Sequence, residues 1–345
     1  MASDDGYAHL SDERLSGGAM KVVIPGGSGQ VGTVLARAFH RRGDEVVVLS
    51  RTQNNSLPWR TVQWDGETLG EWTREFENAD AIINLAGQSV NCRYTPENRR
   101  AIIDSRVKST RVVGQAIAET QTAPRVWLQA STATLYAHRY DAANDETTGI
   151  IGGSEPHAPD TWRFSIDVVK KWERELNAAA TPQTRRVLMR SAIIMSPNRG
   201  GPFDTLLRLV RFGFGGTCGD GRQYVSWIHD QDFARTVVWL IEHEQLQGPV
   251  NLAAPNPLPN AEFMSDLRKA WGIRVGLPAT EWMLELGAFV LRSETELILK
   301  SRRVAPGRLL QSGFMFQFPN WAEAARDLCT SWRNAGFSPR TAKRS

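Results

Sequence analysis

The chain has 345 residues, 41% of them hydrophobic and 23% charged, with a formal net charge of +4. This is ordinary globular composition, which excludes collagen, coiled coil and wholesale disorder, and the length suits about two domains or one large domain with an appendage. No apolar run reaches the roughly 18 residues of a transmembrane helix, and the small, dispersed positive excess excludes a nucleic-acid footprint.

Residues 1–19 are polar and contain Asp4, Asp5, Asp12 and Glu13. They lack the basic start and apolar stretch of a signal peptide and read as a disordered extension, with Met20 as an alternative start. Apolar runs then predict strands at 20–25, 45–49, 61–64, 81–85, 125–131, 187–195 and 250–253. The runs are continuous rather than alternating, the pattern of parallel strands buried on both faces. Helical periodicity falls between them, at 30–42, 96–119, 162–180 and 230–244. This alternation predicts a doubly wound α/β sheet. After Pro255-Asn256-Pro257 the pattern becomes helical, at 260–271, 280–300 and 320–334. The breakers Gly276-Leu277-Pro278, Pro306-Gly307 and Phe318-Pro319 separate these segments. They predict a smaller, mainly helical C-terminal cap, to which 199–224 contributes. Cys92, Cys218 and Cys329 are far apart, with neither zinc spacing nor a disulfide framework, and predict a reducing, cytoplasmic setting. The twelve tryptophans are expected to pack the core and cap.

The sharpest local signal is Gly26-Gly27-Ser28-Gly29-Gln30-Val31-Gly32, between the first strand and the first helix. Glycines at this spacing allow a tight turn, a close backbone approach to a pyrophosphate and tight helix–strand packing. The following helix start points free N–H groups and its positive dipole end at the phosphates. The plain alternative is a glycine-rich turn without a ligand. The context predicts a Rossmann-like dinucleotide-binding domain at 20–198, completed by a strand near 249–254. The cap then comprises 199–248 and 255–334, followed by a tail at 335–345. The second strand ends in Leu49-Ser50-Arg51-Thr52, where an NAD protein usually carries an acid. An arginine can stack on adenine and pair with a 2′-phosphate, so Arg51 favours NADP over NAD. Asp65 is a candidate for the adenine amino group. Leu85-Ala86-Gly87 can let the backbone approach the cofactor.

The glycine segment, Asn84-Leu85-Ala86-Gly87 and Ser131-Thr132-Ala133-Thr134-Leu135-Tyr136 together resemble the extended short-chain dehydrogenase/reductases of the NAD-dependent epimerase/dehydratase superfamily. More narrowly, the chain resembles the atypical branch called "epimerase family protein", which has a C-terminal helical domain. Asp104-Ser105-Arg106 with Thr110, Lys170-Lys171-Trp172-Glu173, Gly221-Arg222-Gln223-Tyr224-Val225-Ser226-Trp227-Ile228-His229, the stretch 248–257 and the tail from Arg303-Val304 to Gly313-Phe314 carry this likeness. It covers about residues 20–330.

The resemblance implies a Ser/Thr at Thr132 and a ribose-binding, pKa-lowering lysine at Lys170. It also implies cofactor contacts at Ala130 and Ile193. The tyrosine four residues before the lysine is missing, because Ile166 stands there, and none of the five tyrosines precedes any lysine by four. The family's helical asparagine aligns with Arg106, and its sugar-nucleotide arginine with Val225. Tyr136, just past a strand end, and His229, with a suitable intrinsic pKa, are the candidates to replace the missing acid. Packing is the alternative for each. Arg106, Arg222 and Tyr224 are candidates for a small polar or anionic substrate. Lys300-Ser301-Arg302-Arg303 reads as a solvated helix end. The expected protein is an NADP-dependent oxidoreductase or epimerase-like enzyme, monomeric or homodimeric, with no metal, nucleic-acid or membrane partner. A non-catalytic NADP-binding redox sensor or partner module is the alternative.

Overall fold

A computed structural model describes residues 18–156, 158–278 and 300–336. Residues 1–17 of the expected extension, nearly all of the helical segment expected at 280–300, and residues 337–345 of the tail lie outside them. In chain order the strands are β1 (Lys21–Pro25), β2 (Glu45–Ser50), β3 (Arg60–Gln63), β4 (Ala81–Asn84), β5 (Val126–Thr132), β6 (Arg185–Ser191), β7 (Ile193–Met195), β8 (Tyr224–Val225), β9 (Trp227–His229), β10 (Gly248–Leu252) and β11 (Leu258–Pro259). The helices are α1 (Gln30–Arg42), α2 (Pro96–Glu119), α3 (Asp160–Ala178), α4 (Pro202–Arg211), α5 (Asp230–Glu242), α6 (Asn260–Trp271), α7 (Gly307–Gln311) and α8 (Trp321–Gly336).

Seven strands form one sheet in the order β3-β2-β1-β4-β5-β6-β10, and every neighbouring pair is parallel. Alternate residues explain the continuous apolar runs. Val22 and Ile24 of β1 pack with Leu35 and Phe39 of α1 and with Phe233 and Val237 of α5. Val23 between them faces the other way, with Val47, Ile82, and Val112 and Val113 of α2. Both faces are covered, so neither set of residues can be polar. Each such side chain contributes about 1.5–3 kcal/mol by leaving water. β3 has a single neighbour and is partly exposed along its length.

The expected strand over 187–195 is two strands. β6 ends at Ser191, and the Ala192 amide donates to Leu252 O at 2.9 Å. The next amide, Ile193 N–H, turns to Ser226 O at 3.3 Å, and β7 pairs with β9 outside the main sheet. One apolar run thus crosses from the sheet into the cap, and apolarity carries no mark of the change of partner. The cap core joins α4, α6 and α8 through Phe203, Leu207, Phe263, Leu267 and Trp321. Phe263 stacks on Trp321 at 4.0 Å between centroids.

Lys300-Ser301-Arg302-Arg303 is not a solvated helix end. Lys300, Ser301 and Arg302 are buried, and the segment runs as an extended strap between the loop after β5 and strand β8. Ser301 Oγ donates to Arg139 O, and the Arg302 amide donates to Tyr224 O. Ser226 Oγ donates to Arg302 O, and the Asn144 amide to Arg303 O. Local charge suggested solvent, whereas tertiary hydrogen bonds satisfy this backbone inside the protein.

Candidate functional site

The strand order reverses between β1 and β4, and in open α/β sheets ligands bind outside the carboxyl ends of the strands at such a point. The glycine loop lies there. Gly26 has φ +74°, a conformation L side chains rarely adopt, and a Cβ on it would meet the Ala86 backbone at 2.6 Å. A Cβ on Gly32 would meet the Gly27 backbone at 2.4 Å. These two glycines are required by the protein itself, to set the β1 loop against the β4 loop and α1 against the β1 loop. Gly29 is different. Its φ is −71°, and the nearest atom to a built Cβ is 3.7 Å away. It is the exposed N-cap of α1, with no side-chain hydrogen bond capping the helix. Ser28 is also exposed, while Gln30 reaches to Asn198 O at 3.5 Å. The first amides of α1 therefore open onto a bare cradle.

At the end of β2, Ser50 is buried and its Oγ accepts from Thr52 N at 3.3 Å. Arg51 is exposed and lines an open cavity of about 410 Å³ with Gln63, Trp64, Asp65 and Trp72. Asp65 turns its carboxylate into its own loop. Oδ1 accepts from Glu67 N at 2.8 Å and Thr68 N at 2.9 Å, and Oδ2 from Thr68 Oγ1. Burial opposes its ionisation, but the bonds from Thr68 and Glu67 outweigh that and hold it below the usual carboxylate range. Its side chain serves the cavity wall.

Beyond β4, Asn84 shapes the loop. Its Oδ1 accepts from Ala86 N at 3.1 Å, and its Nδ2 donates to Gln129 Oε1 at 3.0 Å. Leu85 N–H donates to Pro25 O at 2.8 Å, tying this loop to β1. Gly87 is exposed, and a Cβ there would meet Arg106 Cζ at 3.2 Å. Arg106 donates from Nη1 to Gln88 O and Ile102 O, both at 3.0 Å, and lies 5.0 Å from the Trp172 ring centroid. Burial pushes its pKa down to about 10. The expected substrate arginine therefore braces the Gly87 loop.

Thr132 ends β5, and its Oγ1 is 3.1 Å from Thr134 Oγ1. Ala130 and Ile193 are half-buried beside it, on β5 and β7. On α3, Ile166 is buried with Leu135 and Val169, and Lys170 one turn later is exposed.

The two expected replacement acids are committed elsewhere. Tyr136 is 3% exposed; its hydroxyl donates to Asn251 Oδ1 at 2.9 Å and accepts from Arg190 Nη1 at 3.1 Å. Burial, against the Arg190 charge, raises its pKa. Arg190 in turn makes two bonds to Glu173, at 2.9 and 2.8 Å, and Ser131 Oγ donates to the same carboxylate. Burial disfavours the guanidinium, but the Glu173 bonds and charge outweigh it and raise its pKa. His229 is 1% exposed. Its Nδ1 accepts from Gln231 N at 3.2 Å, capping α5, and its Nε2 meets Asp327 Oδ2 of α8 at 3.1 Å. Phe318 stacks on the ring at 4.0 Å. Neither group presents a proton to the crevice, because each lies in a buried network. Arg222 is exposed, and Tyr224 is half-buried against Arg303 at 4.4 Å. The one sign of the buried Arg190–Glu173 pair in the sequence is an arginine inside the apolar run Val187-Leu188-Met189-Arg190.

The model for the "NAD dependent epimerase/dehydratase family" matches residues 22–253. The chain belongs to this family. A second model, a domain of unknown function (DUF1731), matches residues 279–328. The human epimerase family protein SDR39U1 is 29% identical over 314 residues, covering 90% of this chain and 99% of its own. An epimerase family protein of Staphylococcus aureus is 29% identical over 310 residues, covering 89% and 98%. A crystal structure of human SDR39U1 (isoform2) with NADPH superposes with a TM-score of 0.78 at 27% identity, over 90% of this chain and 99% of that one.

Proposed function

We propose that the chain binds NADP(H) across the crevice between β1 and β4 and acts as an oxidoreductase or epimerase-like enzyme on a small polar substrate, without the usual tyrosine. The observation that carries this reading is Gly29: nothing in the protein crowds a side chain there, so the bare cradle before α1 suits a phosphate group. Arg51, exposed at the end of β2 and lining the cavity there, suits a 2′-phosphate. The solved human relative is described with NADPH. When bound, the coenzyme supplies or accepts a hydride at its nicotinamide ring. Lys170, exposed on α3, holds the ribose, and Thr132 Oγ1 orients the substrate oxygen.

Calorimetry with NADPH and NADH tests the coenzyme assignment. NADPH should bind at least about tenfold more tightly, a 1.4 kcal/mol difference. Arg51→Ala should erase that preference, weakening NADPH binding far more than NADH binding. Flat traces with both coenzymes would overturn the reading. The sensor alternative draws support from Ile166, whose buried side chain has no proton to transfer. It predicts tight NADPH binding with no oxidation of bound NADPH by any carbonyl metabolite.

A further inference from the structure

The loop between β7 and α4, residues 196–201, touches the glycine cradle. Gln30 is the first residue of α1, next to the Gly29 N-cap, so its side chain leaves the helix at the edge of the cradle. Its Nε2 donates to Asn198 O at 3.5 Å. Its carboxamide also packs on Gly201, where a built Cβ would come within 2.8 Å of Gln30 Cδ. Gly201 has φ −92°, which any residue adopts, so a side chain there would displace the Gln30 amide rather than strain the backbone. The Asn198 side chain is used within the loop, its Nδ2 donating to Ser196 Oγ at 2.9 Å.

The other end of the loop is tied to α8. Gly200 N–H donates to Asp204 Oδ2 at 2.9 Å, and Asp204 is buried in the first turn of α4. Its Oδ1 accepts from Trp332 Nε1 of α8 at 2.8 Å. Arg208 pairs with Oδ2 at 2.9 Å. The Arg199 guanidinium lies 3.5 Å from the Trp332 ring centroid and 3.8 Å from Asp204 Oδ1. Burial disfavours the Asp204 carboxylate, but the bonds from Gly200, Trp332 and Arg208 outweigh it and hold its pKa below the usual range. The two fastenings are unequal. Charge-assisted bonds hold the α8 end, whereas one long neutral bond and an amide–glycine contact hold the Gln30 end. The loop therefore parts first at Gln30, while α8 keeps its other end in place.

We propose that this loop is a clasp that retains the coenzyme: Gln30 fastens it to the cradle, and Trp332, through Asp204, sets its closed position from the C-terminal helix. The proposal rests on the coenzyme reading above and adds how that ligand is held. Gln30 and Trp332 are then positioning residues, and release of the coenzyme waits on the opening of a loop.

The test is stopped-flow fluorescence of NADPH, with dissociation chased by excess NADP. Gln30→Ala and Trp332→Phe should each release NADPH about tenfold faster, as expected for the loss of one hydrogen bond, with association within about twofold of wild type. Trp332→Phe keeps a ring beneath Arg199 and removes only the indole N–H. Gln30 is half-buried at the surface, so Gln30→Ala should melt with wild type and remains informative if Trp332→Phe folds poorly. A second arm needs no coenzyme. Hydrogen exchange over residues 198–204 should be faster in Trp332→Phe than in wild type, and equal exchange overturns the fastening to α8. Wild type that binds NADPH and releases it as fast as Gln30→Ala overturns the clasp alone. Wild type that binds no NADPH strikes the coenzyme reading, and the clasp with it.

Discussion

Among single residues, the three spaced glycines do different work, and this can be measured. Gly32→Ala drives a Cβ to 2.4 Å from the Gly27 backbone, and overpacking of that kind costs about 1–3 kcal/mol. Its melting temperature should fall. Gly29→Ala meets nothing closer than 3.7 Å. It should leave the melting temperature unchanged and weaken dinucleotide binding by about tenfold or more, a loss of at least 1.4 kcal/mol. A Gly29→Ala variant with unaltered coenzyme affinity would contradict the cradle. The spacing of these glycines was legible in the sequence, but their separate roles were not. Tyr136 shows the same limit. Its place after a strand end suggested a crevice residue, while its partners Arg190 and Asn251 lie 54 and 115 residues away.

Among elements, the decisive join is that of α3 to the sheet. Glu173 of α3 and Arg190 of β6 form a pair whose side chains are 12% and 10% exposed. Removing one partner of a buried pair strands the other charge and costs about 3–5 kcal/mol. Glu173→Gln should therefore lower the urea midpoint sharply, without changing the position of the coenzyme loop. A double variant that also replaces Arg190 with Met should recover much of the loss, because it removes the stranded charge. Helix and strand periodicity placed α1, α2, α3 and α5 close to their observed positions. Periodicity could not divide β6 from β7, because both halves are apolar and only their hydrogen-bond partners differ.

Across the whole molecule, the strap couples the cap to the sheet through a titratable contact. Ser301 N–H donates to His138 Nδ1, and a protonated ring cannot accept it. The His138 pKa is lowered by folding, so the bond contributes in full above the unfolded value of about 6.5 and is lost as pH falls through the lower folded value. Hydrogen exchange should show the amides of Ser301, Val304 and Ala305 protected at pH 8 and progressively less protected below pH 6.5. Exchange that is uniform across this range would refute the coupling. The basic letters of the strap suggested solvent, because local charge says nothing about the carbonyls and hydroxyls that arrive from distant segments.

The order of apolar runs, helical periods and turn glycines determined the parallel sheet, its phosphate-type loop and the family likeness. These are properties of neighbours along the chain, set by backbone geometry and by burial on two faces. Which tyrosine or histidine meets the crevice, which arginine braces a loop, and which amide meets His138 were decided only by tertiary structure. Each depends on partners brought together from remote parts of the chain, and a polar group in a folded protein takes its role from the partner that satisfies it.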